Sequence, residues 1–384
     1  MPFQSTFDFR TPTRLIHGAG SIAQLPKLLR RLDPALIVTD KGLVAAGVVD
    51  QVTGVLDDAS LRYAIYDGVL GNPPARCVHA GHRIFAREKC GSVLAVGGGS
   101  AMDAAKMIGI VASNGGRIEK YLGANKFTVD PPTLICVPTT YGTGSEVTPF
   151  AVLTDVKTKT KDPIISWKIA PAAGILDPDL VVALPAAVGA PTGMDALTHA
   201  LESYVSLAST PLTDAIALEA IRSIGGNIRL ACANNHELEA SERMLLASAM
   251  AGMAFSQTRL GNVHAMSHPV GAHHNVHHGT ANAILLPYVM DFNLTARLDK
   301  FADIGQALGV DNDGADDREA AEAAVHAVRQ LNRDLAIPET LGEVGVKARS
   351  IPAMAKSAMT SGNVAVNPRH TTLEDVVELF QQAV

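Results

Sequence analysis

Residues 261–279 read GNVHAMSHPVGAHHNVHHG and hold six of the chain's thirteen histidines. His264 and His268 stand four apart, and upstream the stretch GMDALTHALE at 193–202 sets Asp195 and His199 four apart as well. On a helix that spacing projects two side chains from one face, where they can grip a single ion. Carboxylate oxygen and imidazole nitrogen are ligands that divalent iron, zinc, manganese and nickel accept. The competing reading of the stretch is a polar, histidine-rich surface loop. A straight helix would hold His264 and His278 about 21 Å apart at 1.5 Å per residue, so only a chain reversal lets both serve one ion. Pro269 and Gly271 predict that the helix stops and turns there, since proline removes a backbone donor and glycine permits the reversal.

A second kind of chemistry is written nearer the start. An apolar run at 92–96 leads into Gly97, Gly98, Gly99 and Ser100, followed by the helix-forming AMDAAKMIGIVAS. Glycines let backbone approach a phosphate closely, and the first helical turn offers unpaired N–H groups to an anion. The pattern is not GxGxxG, and a tight turn is the alternative. Asp103, in the first turn, either caps N–H groups or contacts a cofactor group. A further apolar run at 133–137 enters Pro138 and TTYGTGSEVT at 139–148, where hydroxyls alternate with glycines, a composition suited to bonding ribose, phosphate or amide groups. Asp40 ends the short run at 35–38, where an acid can bond an adenosine ribose and repel the extra phosphate of NADP; a helix cap is the other reading. Lys161 and Lys168 are anion contacts or ordinary surface charges.

The elements that must position these residues fall into two regimes. Strands at 14–17, 35–38, 61–66, 92–96 and 133–137 alternate with helices at 21–31 and 77–88. Beyond 185–189 the composition changes to alanine- and leucine-rich helices at 191–206, 211–233, 238–256, 280–293, 298–308, 317–331 and 372–383. At 384 residues the chain exceeds one ordinary core. The expected fold is therefore α/β plus all-α, with a nucleotide-binding domain over 1–187 and a helical domain over 188–384. A net charge of -6 and 47% hydrophobic residues give no reason to expect nucleic acid or a polybasic membrane contact. The N-terminal segment lacks a signal-peptide pattern, and no stretch reads as a membrane helix. Cys77, Cys90, Cys136 and Cys232 are widely spaced without a CxxC pair, which predicts reduced thiols in the cytoplasm. Asp316 and Asp317 read as caps, and Ser350 has no neighbouring base in the sequence that would mark a nucleophile.

VTDKG at 38–42, GGGSAMDAAK at 97–106, PTTYGTGSEVT at 138–148, DPDL at 177–180, TGMDALTHALE at 192–202 and the histidine stretch through ANAILLPYV, in this order and spacing, resemble the iron-containing, metal-dependent alcohol dehydrogenase family across essentially the whole chain. The resemblance implies a doubly wound N-terminal domain, an all-helical C-terminal domain, NAD or NADP, and a homodimer. Matched residue by residue, it implies Asp195, His199, His264 and His278 as ligands of one divalent metal, Fe2+ first and Zn2+ second. His268 then orients an alcohol or relays a proton, or lies behind the ligands. Asp40 matches the acid that favours NAD, Gly97, Gly98, Gly99 and Ser100 the pyrophosphate loop, and Thr139, Thr140 and Thr143 the ribose and nicotinamide side. Lys161 is a weaker match to a cofactor-facing lysine. The reaction implied is hydride exchange between NAD(H) and a small primary alcohol or its aldehyde. A diol or hydroxy-acid dehydrogenase and a dehydroquinate-synthase-like lyase are the alternatives. Where many relatives carry bulky apolar residues, this chain has His273, His274 and His277, which predicts a preference for polar or anionic aldehydes.

Overall fold

The computed structural model describes residues 6–155, 160–234 and 236–384. They form two compact units, one within Thr11–Ala183 and a second that joins residues 6–10 to Leu184–Val384.

In the first unit the strands are β1 (Arg14–His17), β2 (Ala35–Val38), β3 (Tyr63–Tyr66), β4 (Ser92–Gly97), β5 (Gly123–Ala124), β6 (Thr133–Pro138), β7 (Phe150–Asp155), β8 (Thr160–Ile165) and β9 (Ala173–Leu176). Six of them make one sheet in the order β1-β9-β6-β4-β2-β3 with every pairing parallel. Both faces are covered, as a parallel sheet requires. Successive residues of a strand point to opposite faces. Leu36, Val38, Val93, Ala95, Leu134 and Cys136 accordingly pack with Val78 and with Met102–Val111 of the helix Gly99–Asn114. The alternate set, Ala35, Ile37, Leu94, Val96, Ile135 and Val137, packs with Leu25, Leu29, Val49, Val52 and Leu56. This is the doubly wound arrangement, and it sets both the glycine turn after β4 and the threonine loop after β6 at strand C-terminal ends. A smaller sheet, β5-β8-β7, was not anticipated; in it β7 and β8 run antiparallel.

The second unit is helical. Ala186–Val205, Pro211–Ala233 and Leu238–Thr258 pack on one another, and Asn262–His274 and His278–Asn293 join them. Gln257 donates to and accepts from the Arg10 backbone, which fastens the N-terminal segment to this unit. Two expected boundaries differ. The first helix starts at Ala186 rather than Pro191, and Pro191 lies inside it. Proline there forfeits one hydrogen bond near the start, while the Thr192 hydroxyl donates to Val188 and Gly189 carbonyls in the same turn. The histidine helix likewise runs through Pro269 and Gly271 to His274. Its reversal comes at Asn275, at φ 55° and ψ 30°, the left-handed conformation asparagine tolerates best among residues with a Cβ. Burial of Ala265, Met266, Val270 and Gly271 on both sides of the proline holds the helix together.

Candidate metal centre

Three helices each present a pair at i and i+4: Asp195 with His199, His264 with His268, and His278 with Asn282. The ligand atoms of Asp195, His199 and His264 all lie within 4.8 Å of one another, and all three residues are buried. His199 Nε2 stands 3.8 Å from Asp195 Oδ1, His264 Nε2 3.6 Å and His278 Nε2 3.8 Å from the same oxygen. Ligands about 2.1 Å from a tetrahedral ion are separated by about 3.4 Å, so these spacings suit one divalent cation. His278 is the most open of the four, with 27% of its side chain exposed.

Asn282 supplies an internal test of that fit. Its Nδ2 lies 2.6 Å from Asp195 Oδ1, 3.0 Å from His264 Nε2 and 3.2 Å from His278 Nε2. Three acceptors thus converge on one donor, as ligand lone pairs must converge on a cation. The amide's own buried Oδ1 has no hydrogen-bond partner, leaving one more ligand-type oxygen beside the cluster. Burial opposes the charge of Asp195, but His199, His278 and His264 outweigh it and hold the carboxyl well below the usual carboxylate range. Burial also opposes charge on His264, yet Glu202 and Asp195 together raise its pKa to about 9, so an ion would take Nε2 in competition with a proton.

Glu202, to which no role was assigned from sequence, orients His264. Its Oε2 accepts from His264 Nδ1 at 2.6 Å and its Oε1 from Val263 N at 2.6 Å. With Nδ1 donating to Glu202, Nε2 is the nitrogen that faces Asp195, and it is the one a metal would take on losing its proton. A signal was available: residue 202 is seven after 195 and so shares the helix face of Asp195 and His199. Asn282, four after His278, carried the same kind of signal. Glutamine at 202 retains only one acceptor oxygen for two donors. Glu202→Gln is therefore expected to weaken metal affinity by about 10- to 100-fold in chelator competition. Unchanged affinity would reduce Glu202 to a packing role.

The remaining histidines separate. His268 is half-buried, its ring centroid 5.4 Å from that of His278 and 6.3 Å from that of His264, which keeps it beside the cluster. His199 stacks between Phe255 and His264, at 4.5 and 4.6 Å. His273 and His277 are exposed, whereas His274 Nε2 meets Ser350 Oγ at 2.8 Å. Ser350 does have a base beside it in space, but its own proton goes to Lys347 O, so it accepts from the histidine.

In the α/β unit the two expected cofactor loops touch. A Cβ on Gly98 would stand 3.1 Å from Thr140 Oγ1, and one on Gly99 2.8 Å from Thr143 Cγ2. Thr139 N donates to Gly97 O. The helix Gly99–Asn114 begins without a side-chain cap, which leaves first-turn N–H groups for an anion. Asp40 Oδ1 caps the helix Lys41–Ala45 through Gly42 N and Leu43 N. Asp103 Oδ1 accepts from Ser145 Oγ and Oδ2 from Val152 N. Burial raises the Asp103 carboxyl above its ordinary range, and Lys106 and, last, Lys161 on β8 work against that rise. Asp177, from the DPDL stretch, binds Gly20 N and Ile22 N and is structural.

Glu146, in the threonine loop, is 1% exposed, and burial pushes its carboxyl up to about 7. Between the unfolded value near 4.3 and about 7 the unfolded chain ionises while the fold retains the proton, so this group's contribution falls as pH rises through that window. Glu146→Gln should gain on the order of 2–3 kcal/mol relative to the native chain between pH 4 and pH 8 in denaturant titrations. A difference that does not vary with pH would remove Glu146 from the linkage.

Residues 12–178 match the family described as iron-containing alcohol dehydrogenase, and residues 189–384 match the C-terminal part of the same family. The 1,3-propanediol dehydrogenase of Citrobacter freundii is 43% identical over 98% of this chain and 98% of its own. The NAD-dependent methanol dehydrogenase of Bacillus methanolicus is 39% identical over 98% and 99%. A crystal structure of 1,3-propanediol oxidoreductase superposes with a TM-score of 0.96 at 42% identity, covering 99% of this chain and 100% of that one. With both halves of the chain matched in order and a buried carboxylate and imidazoles converging on one point, the chain belongs to the iron-containing alcohol dehydrogenase family and is an oxidoreductase of that family.

Proposed function

We propose that Asp195, His199, His264 and His278 hold one divalent ion, Fe2+ first and Zn2+ second, and that the protein exchanges hydride between NAD(H) and a small primary alcohol or its aldehyde. The observation that carries this is the convergence of three histidine Nε2 atoms, each within 3.8 Å, on Asp195 Oδ1. When bound, the ion would supply Lewis acidity toward an alcohol or carbonyl oxygen, and NAD(H) would supply the hydride acceptor or donor. Glu202 keeps His264 in the tautomer whose Nε2 is a ligand. His268, beside His278 yet outside the ligand set, orients the alcohol and relays its proton. Gly97, Gly98, Gly99 and Ser100 seat the pyrophosphate at the helix start. Thr139, Thr140 and Thr143 line the ribose and nicotinamide side, and Lys161 faces the cofactor. Asp40 uses Oδ1 as a cap and offers Oδ2 to the adenosine ribose, which favours NAD over NADP. Asp103 serves the same site by holding Ser145 and Val152.

Residues 1–187 form the NAD-binding domain in this reading and 188–384 the metal-binding one. We further place the protein in the cytoplasm as a homodimer. Cys77, Cys90 and Cys136 as free thiols suit a reducing compartment. Among the described residues no helix is long and apolar enough to cross a membrane. A diol substrate is the second reading, favoured by the 43% identical relative named 1,3-propanediol dehydrogenase.

Metal analysis joined to a substrate panel, run with NAD and with NADP, tests the proposal. One iron or zinc per chain and multiple-turnover NADH formation from primary alcohols or 1,3-propanediol are expected; strong NADP preference would overturn the role of Asp40. Anionic aldehydes belong on the same panel. His273→Ala is expected to lower kcat/KM for an anionic aldehyde by about three- to tenfold relative to a neutral one, the loss of one exposed charge contact. His274→Ala should change less, because His274 already binds Ser350. Equal discrimination in both variants and the native chain would remove these histidines from selectivity.

A further inference from the structure

Lys106 belongs to the helix Gly99–Asn114, is 1% exposed, and ends among oxygens. Its Nζ lies 2.7 Å from Ser145 O, 2.9 Å from Ser145 Oγ, 3.0 Å from Thr148 O, 3.2 Å from Thr148 Oγ1 and 2.7 Å from Phe150 O. An ammonium has three N–H donors, so five oxygens exceed what directed hydrogen bonds use. All five come from residues 145–150, and three are backbone carbonyls. Shells of this kind replace the hydration of a bare monovalent cation. Here the cation is tethered to the chain. The Ser145 hydroxyl donates to Asp103 Oδ1, which brings a buried carboxyl within one residue of the ammonium. Burial pulls the Lys106 pKa below the ordinary lysine value, and Asp103 works against that loss.

The cage has a second point of attachment. Ser145 N donates to Thr143 Oγ1 at 3.2 Å, and Thr143 Cγ2 closes over Gly99, where a Cβ would come within 2.8 Å. Gly99 and Lys106 are seven residues apart on one helix, two turns along the same face. One helix thus grips the threonine loop at its start through Gly99 and deeper in through Lys106. We propose that Lys106 is a positioning residue, a tethered cation in an oxygen cage, which clamps the 139–148 loop onto the glycine turn and preforms the cofactor seat. The inference rests on reading 97–100 and 139–143 as that seat.

Lys106→Met keeps the stem and removes the charge. NAD binding, measured directly by fluorescence on the full-length protein, is expected to weaken by about tenfold or more because the loop must be ordered on binding. Metal content should stay at the native level, since the proposed ligands lie in the other unit. NAD affinity within twofold of native would overturn the clamp. Lys106→Ala opens the cage to an external ion. Ammonium chloride should restore part of its NAD affinity where tetramethylammonium chloride at equal ionic strength does not; equal responses would overturn the cage. Should both lysine variants fail to fold, Thr148→Val removes one cage oxygen at nearly constant shape. It is expected to weaken NAD binding severalfold with metal content unchanged, and native affinity would count against the proposal. If the native protein binds no NAD, the reading of the seat itself fails, a result distinct from any variant's.

Discussion

Asp195→Ala is expected to strip the protein of stoichiometric metal and to cut alcohol-dependent NADH formation by about a thousandfold or more, the several kcal/mol of charge stabilisation a metal supplies. Its Oδ1 is a neighbour that all three Nε2 atoms share, at 3.6–3.8 Å. It is also the only anionic atom among the four proposed ligands. Without it, three imidazoles face one another with no anionic ligand to offset the ion's charge, and only Glu202 remains behind His264, in a site where Asp195 is 4% and His264 1% exposed. A buried charge left uncompensated is strongly disfavoured. Metal per chain and turnover should fall together while the helical signature by circular dichroism persists. Native metal content in this variant would sink the ligand assignment.

Gly279→Ala is the second large effect, and it acts through backbone. A Cβ at 279 would lie 2.1 Å from Pro191 O and 2.7 Å from Pro191 C, atoms that cannot rotate away. The helix beginning at His278 would have to move off Ala186–Val205, where Asp195 sits one turn beyond Pro191. A destabilisation of about 3 kcal/mol or more is expected, at the upper end for overpacking because a main-chain atom is struck. Denaturant titration measures it, and chelator competition should show weaker metal binding, since the displaced residue next to 279 is the proposed ligand His278. Native stability and native metal affinity together would show that the two backbones are not in contact there.

Much of this molecule was legible beforehand because local rules govern local geometry. The runs at 35–38, 92–96 and 133–137 are short, apolar and bounded by turn residues, and each is a strand of the parallel sheet. The pairs 195/199 and 264/268 share helix faces because the helix repeat makes them do so. Local rules failed at the prolines. Pro191 and Pro269 lie inside helices, because buried contacts on either side compensate one lost hydrogen bond, an amount sequence does not reveal.

The histidine stretch shows where the division falls. Residue type and spacing marked Asp195 with His199 as one candidate pair and six histidines at 264–278 as candidates to join it; the family resemblance singled out His264 and His278, and spacing required a reversal between those two. Where the chain reverses was decided by Asn275 in a left-handed conformation, three residues before His278. Which further side chains serve the ligands was decided by tertiary packing. Glu202 fixes the His264 tautomer across 62 residues, and Asn282 reaches Asp195 across 87. The reason is physical: periodicity assigns a side chain to a face of its own helix, but only the packing of helices, here with Gly279 against Pro191, determines which faces meet. Lys106 makes the same point in the α/β unit, since nothing in GGGSAMDAAK indicates that its last residue ends among five oxygens of another loop.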